Sequence, residues 1–445
     1  MLNPHLWPDT ARLEAGQLWV GGVALPALAE AYATPLYIID EVTLRGAMRA
    51  YRHALARHYP APSRVHYASK ALLNIAVAQV AQQEGLGLDL VSAAELLVAR
   101  RAGVDMTSIH LHGNAKSDAE LHRALDWGVG AVVVDNLDEL ERLIALSAGH
   151  PQPQPVLLRV APDIAAHTHA HIATGAADAK FGFPLAALPV AIERILAAPG
   201  LHLRGLHAHI GSQIFELGQL AATVQVLVAA LAQIRAQYGV TLEELSPGGG
   251  LGVPYTDAMP ATDIDGYAQA LAAATQQACA AHNFPLPLLT VEPGRSIIAR
   301  AGVALYRVVA RKFAADGRLL YLHVDGGMAD NIRPALYAAR YTALLANRAD
   351  APPTAPVSVA GRYCESGDIL LRDAPLPAAQ LGDVLAVAGA GAYTLSMAST
   401  YNMSPRPALL LLNAGQVQVI QRRETEEDLL ARDLPLAATE TPQSR

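Results

Sequence analysis

Between about residues 64 and 295 the chain repeats one pattern eight times: a short apolar, β-branched run, then a longer stretch of alanine, leucine and charged residues with helical spacing. The strand-like runs are 65–69, 86–91, 109–112, 131–134, 156–160, 203–210, 242–246 and 289–292. Strands alternating with helices form βα units and a parallel sheet, and eight such units in roughly 230 residues have the size of a TIM (β/α)8 barrel. The predicted fold class is therefore α/β. A barrel of this kind collects reactive groups at the C-terminal ends of its strands and in the loops just after them. Read in order, those places hold Lys70, Asp89, Asn114, Asp135, Arg159, His209, Gly248 to Gly250, and Glu292 with Arg295. Single members are open to a structural account; Asp135, which precedes Asn136 and a helical run, reads as a helix N-cap.

After residue 300 the texture changes to β-rich segments, 303–310, 321–324, 357–360 and 384–387, joined by proline-containing loops. This predicts a second, mainly β domain. Two strand-like segments before the barrel, 18–23 and 36–39, are expected to pair with it. The predicted division is residues 1–40 as N-terminal strands joining the β domain, 41–298 as the barrel, 299–434 as the C-terminal β domain, and 435–445 as a short polar, mobile tail.

A chain of 445 residues with 52% hydrophobic content has enough apolar surface for two domains. Its net charge of −7, with no dense basic stripe, argues against nucleic acid or an anionic membrane as partner and favours a small ligand. Two cysteines, Cys279 and Cys364, make no disulfide framework, and no Cys/His spacing reads as a metal site. The N-terminus has no basic region followed by an apolar one, and polar residues interrupt each long apolar run. A soluble protein of the reducing cytoplasm is expected.

Only four of the 33 basic residues are lysines: Lys70, Lys116, Lys180 and Lys312. Arginine stays charged and forms no covalent bond with an aldehyde, whereas a lysine amine loses its proton when partly buried and condenses with one. Lys70, at the end of the first strand-like run, is placed for such chemistry, and the obvious aldehyde is pyridoxal phosphate (PLP). Taken alone, a surface lysine that happens to follow a strand is the plainer reading. The run Gly248-Gly249-Gly250 after the seventh strand lets backbone N–H groups approach an anion closely, and barrels often bind phosphate after strands seven and eight. A tight turn is the plainer account of three glycines. Glu292 in Glu292-Pro293-Gly294-Arg295 would keep a PLP pyridine nitrogen protonated, unless it merely pairs with Arg295 beside a turn. His207 and His209 are read as sharing one side of a strand, with His209 the better candidate to stack on a flat ring. Cys364 and Glu365 stand together in a loop of the β domain, where a small buried thiol is the simpler reading.

Taken together, these motifs closely resemble the diaminopimelate decarboxylases, PLP enzymes of the alanine-racemase-like fold type, over about residues 34 to 430. In that family a TIM barrel is followed by a C-terminal mainly β domain. The resemblance implies that Lys70 in Tyr67-Ala68-Ser69-Lys70 carries the cofactor, with Asp89 among the cofactor-binding residues. In Gly205-Leu206-His207-Ala208-His209-Ile210-Gly211-Ser212-Gln213 it implies that His209 stacks on the pyridine ring and Ser212 lies near the phosphate. Gly248, Gly249 and Gly250 correspond to the phosphate loop, Glu292 to the acid at the pyridine nitrogen, and Gly294 and Arg295 to cofactor contacts, Arg295 also touching substrate. Arg333 and Tyr337 match substrate-binding positions. Cys364 and Glu365 match an element that reaches into the neighbouring subunit's site, the cysteine as proton donor and the glutamate on the distal amine. Tyr393 matches a tyrosine that touches cofactor and substrate. Three loops depart from the family pattern: alanine stands at 115 where asparagine is usual, the usual asparagine is missing from Arg159-Val160-Ala161-Pro162, and the run 396–402 varies.

The implied reaction is decarboxylation of meso-2,6-diaminopimelate to L-lysine and CO2, the last step of lysine biosynthesis, by a homodimer with shared active sites. A decarboxylase for ornithine, lysine, arginine or carboxynorspermidine is the nearest alternative, but a substrate ending in a bare amine has no use for Arg295 and Arg333 together. An amino-acid racemase would not need Glu292 at the ring nitrogen. A silent PLP-binding protein would not need both Lys70 and Cys364.

Overall fold

The computed structural model describes residues 2–164 and 180–436. Eight parallel strands, Ser63–Ala68, Gly87–Leu90, Ile109–Leu111, Ala131–Val134, Gln154–Ala161, Leu201–His207, Glu244–Gly248 and Leu288–Val291, pair in sequence order. The eighth returns to the first through Leu289↔Ser63 and Val291↔Val65, which closes the barrel. The strands read as continuous apolar runs because parallel strands under helices are buried on both faces; Ala131–Val134 is buried at each position.

The helices after the first four strands start on side-chain caps: Asn74, Ser92, Ser117 and Asn136 each accept a hydrogen bond from the third backbone N–H beyond them. Asn136 corrects the reading of Asp135 as a cap. Asp135 is instead buried, with an oxygen 3.7 Å from the Arg159 guanidinium. The helix Leu217–Tyr238 is long and apolar enough to cross a membrane by length and composition. Here, however, Leu220, Val224, Leu227, Leu231 and Ile234 recur at three- and four-residue spacing and are buried, and the helix packs against Ile264–Ala281.

The barrel interior is unusually polar. Ala131, Val133 and Leu157 form a small apolar cluster. Buried beside the strands are His66, His110, His207, Glu244 and Glu292. Glu244 makes this tolerable by pairing with Arg204 at 2.6 Å and accepting from Thr290 Oγ1 at 2.6 Å. Buried charges persist only when paired and hydrogen-bonded in this way.

Beyond the barrel, the long strand Gly302–Phe313 organises a nine-stranded sheet. It pairs with Leu319–Val324 at one end, and with Val384–Ala388 and Leu36–Asp40 at the other. Leu36–Asp40 also takes Ala408–Asn413 as a parallel neighbour, so the chain before the barrel is woven into the C-terminal sheet. Gln17–Val20 belongs to a separate three-stranded sheet and meets the larger one by backbone hydrogen bonds at its margin, Leu18 N donating to Ala346 O at 2.8 Å, and by packing of Leu18 and Val20 with Leu36, Ile38, Leu305 and Leu410. From residue 437 onward the predicted mobile tail lies outside the described residues.

Candidate active site

A cavity of about 900 Å³ opens where the strands end. Into it come Lys70, Asp89, His209, Ser212, Gly250, Glu292, Gly294, Arg295, Arg333, Tyr337 and Tyr393, residues far apart in sequence. Asn114 and Arg159, noted at strand ends, line it as well, as does His207. Strand six stops at His207, three residues short of the predicted end, so His207 and His209 do not share one strand; the turn after it still brings both into the wall.

Of the four lysines, only Lys70 lines the cavity. It sits on the short 3₁₀ turn Ser69–Ala71 that ends strand one. Lys116 is spent elsewhere: its Nζ donates to Gly113 O at 2.7 Å, Val133 O at 2.7 Å and Glu139 Oε1 at 2.8 Å, deep between strand and helix. Lys180 and Lys312 are exposed outside the cavity.

Glu292 follows strand eight and is fixed by two donors. Ser246 Oγ donates to Oε1 and His207 Nε2 to Oε2, each at 2.9 Å. Burial alone would push Glu292 up, but the imidazoles of His207 and His112, with their hydrogen bonds, hold it well below the usual carboxylate range. His110, His112 and Glu292 stand close enough to hold an ion in common, although both Glu292 oxygens already accept from Ser246 and His207.

The glycine run bends over this floor. Gly248 has φ +76°, and a Cβ there would come within 2.7 Å of Ala208 O and 2.8 Å of the His209 ring. A side chain would therefore force the loop away from the segment carrying His209. Gly248 and Gly249 lie behind the cavity wall, and Gly250 faces it.

Two guanidiniums dominate the opposite side. Arg295 and Arg333 are 7% and 5% exposed, and among the described residues neither has a carboxylate within ion-pair distance. Arg295 donates to Ser212 Oγ at 3.0 and 3.2 Å and to Tyr255 Oη at 2.9 Å, and it lies 4.6 Å from the Tyr393 ring centroid. Arg333 donates to Tyr341 Oη at 2.5 Å and lies 4.6 Å from the Tyr255 ring centroid. A buried cation left without an anion is destabilising by several kcal/mol. With Lys70, Arg159 and Arg340, five cationic side chains face the two carboxylates Asp89 and Glu292, so the cavity as a whole favours an anionic guest.

Cys364 and Glu365 do not join this cavity. Both are exposed, which corrects the reading of Cys364 as a buried thiol. Their loop is held at its base by Asp368, which accepts from Tyr363 N at 2.9 Å and from Met328 N at 2.7 Å, tying it to the segment that leads to Arg333.

Sequence reasoning missed Tyr255, Tyr341, His112 and Arg340. Tyr255, His112 and Arg340 line the cavity, and Tyr341 stands behind it. His112 ends the third strand-like run, a place that could have marked it; nothing local marks the other three, which reach the site only through the fold.

The (β/α)8 barrel joined to a β sheet, with Lys70, Glu292 and Gly250 lining one cavity, agrees with the class of pyridoxal-dependent decarboxylases, whose pyridoxal-binding domain residues 43–299 match. The chain is 46% identical to the diaminopimelate decarboxylase of Synechocystis sp. over 97% of this chain and 93% of that one. It is 41% identical to that of Bacillus subtilis over 94% and 96%. The structure of the M. jannaschii diaminopimelate decarboxylase in complex with L-lysine superposes with a TM-score of 0.90 at 30% identity, covering 97% of this chain and 99% of that one. The chain belongs to the diaminopimelate decarboxylase family. A lysine/ornithine decarboxylase from Vibrio vulnificus shares the fold at a TM-score of 0.74 and 24% identity.

Proposed function

We propose that this chain, with PLP as cofactor, decarboxylates meso-2,6-diaminopimelate to L-lysine and CO2, a reaction of lysine biosynthesis. The observation that carries this reading is the pair Arg295 and Arg333, two buried guanidiniums that line the cavity and, among the described residues, have no carboxylate within ion-pair distance. Their forked donors suit a carboxylate that does not leave in the reaction. Ornithine and lysine have no such second carboxylate.

When bound, PLP supplies an electron sink for the pair left behind as CO2 departs. Lys70 is the amine that holds its aldehyde. Glu292, kept ionised by its donors, would hold the pyridine nitrogen protonated, and Asp89 adds a second negative charge nearby. His209 would stack on the ring, while Gly248, Gly249, Gly250, Gly294 and Ser212 offer small, polar surroundings for the phosphate. Tyr337 and Tyr393 are placed beside the arginines to line the substrate. Cys364 as proton donor and Glu365 as partner of the distal amine complete the site of a neighbouring subunit, which supports a homodimer with shared sites. Their exposure on a braced loop outside their own cavity supports this arrangement. The division into residues 1–40, 41–298, 299–434 and a tail belongs to the same proposal, as does a reducing cytoplasm, where an exposed Cys364 stays a thiol.

Arg333→Lys tests the substrate assignment. It keeps the charge but loses the planar fork, so kcat/KM for meso-diaminopimelate should fall by about 2–4 kcal/mol of transition-state binding. The ratio of that constant to the one for L-ornithine should fall with it. Loss of PLP, or an equal loss on both substrates, would make Arg333 structural and remove the main support for the reading.

A further inference from the structure

Tyr255 comes five residues after the glycine run and is 4% exposed. Its hydroxyl accepts from Arg295 Nη1 at 2.9 Å, while its ring face carries the Arg333 guanidinium at 4.6 Å. One side chain therefore touches both arginines, one by its edge and one by its face. The ring is itself held from several sides. Tyr341 meets it edge-on at 5.2 Å and 75°, and a Cβ at Gly389 would come within 3.1 Å of it. Its carbonyl accepts from Thr342 Oγ1 at 3.0 Å, and its N–H donates to Met259 Sδ at 3.4 Å.

The choice of residue type matters. A carboxylate at 255 would orient both guanidiniums, but it would also neutralise them and compete with an incoming carboxylate. A phenol accepts one hydrogen bond and offers a π face without carrying charge, so both positive charges remain available. The surrounding charge is felt at the phenol: burial alone would raise it, yet the guanidiniums of Arg295 and Arg333 pull it below the usual tyrosine value.

We infer that Tyr255 is a positioning residue that fixes the spacing and orientation of Arg295 and Arg333, and thereby sets the preference for a substrate with a second carboxylate. The inference deepens the proposed function and rests on it for the identity of that substrate. It does not depend on turnover for its test, because a simple dicarboxylate reads the same two guanidiniums.

The experiment uses the purified holoenzyme and Tyr255→Phe, which deletes the acceptor for Arg295 and keeps the ring under Arg333, beside Tyr255→Leu, which deletes both. Binding of pimelate and of L-norleucine, an α-amino acid with no second carboxylate, is followed by calorimetry, and steady-state kinetics are taken with meso-diaminopimelate. Losing one hydrogen bond to a charged group should weaken pimelate binding and raise KM about tenfold in Tyr255→Phe. The leucine variant should lose on the order of tenfold more, since it also removes the cation–π face. Norleucine binding should change much less, kcat should change far less than KM, and the cofactor absorbance should be retained. Unchanged pimelate affinity in Tyr255→Phe would overturn the inference, as would equal weakening of both acids or loss of cofactor. If the wild-type protein fails to turn over meso-diaminopimelate while Tyr255→Phe still selectively weakens pimelate, the positioning role stands and the substrate assignment fails.

Discussion

His207 donates from Nε2 to Glu292 Oε2 across 2.9 Å, both side chains being buried in the wall of the cavity. The contact joins the end of strand six to the end of strand eight and holds in the ionised form the acid assigned to the cofactor's pyridine nitrogen. Because the imidazole pulls Glu292 down, His207→Phe should let it rise toward the ordinary carboxylate value. The acid limb of the kcat–pH profile should then move to higher pH, with kcat reduced at the acid end and approaching its plateau as pH rises. An unmoved acid limb in a folded, PLP-loaded variant would mean that His207 does not govern this ionisation.

Lys70 is assigned as the lysine that carries PLP. Borohydride reduction of the holoenzyme followed by peptide mapping should place the cofactor on the peptide containing Lys70, and Lys70→Ala should yield no labelled peptide. Label at Lys116 would contradict the geometry, since that amine is buried against Glu139 and two carbonyls.

Cys364 lies outside its own subunit's cavity, so two inactive variants should complement each other. Mixing Lys70→Ala with Cys364→Ala under conditions of verified subunit exchange should restore part of the activity, because each mixed dimer holds one site with both residues intact. No recovery would mean that a single chain builds the whole site.

The polar barrel interior sets a pH dependence of stability. Burial lowers His66 and His110 well below the usual imidazole value, so both stay neutral in the folded protein. In the unfolded chain they take up protons below about pH 6.5. Their contribution to stability is therefore complete above that pH and is lost as pH falls toward the folded values, by up to about 1.4 kcal/mol per pH unit for each histidine. Urea unfolding between about pH 7 and about pH 5 should show this decline, and His66→Phe should reduce its slope by the share of one proton.

Much of this was legible in the chain because eight buried parallel strands leave eight apolar runs, and because strand ends of a barrel are where Lys70, His209 and Glu292 had to be sought. The strand boundaries were less so: strand six ends at His207 because backbone beyond it turns toward Gly248 and leaves the ladder. The segment 18–23 has strand composition, but composition does not say which sheet receives it; Leu18 and Val20 pair within a small sheet of their own and pack on the larger one. Tyr255 and Tyr341 were invisible for a related reason. Each looks like any buried aromatic until the C-terminal sheet docks on the barrel and brings Arg333 against both.

The central claim is the reaction itself, and CO2 release measures it most directly. Wild-type holoenzyme supplied separately with meso-diaminopimelate, L-lysine and L-ornithine should release CO2 rapidly from the first alone, with L-lysine formed in equal amount. Equal or faster release from L-ornithine or L-lysine would contradict the assignment of Arg295 and Arg333 to a second carboxylate and would make this chain a decarboxylase of another basic amino acid.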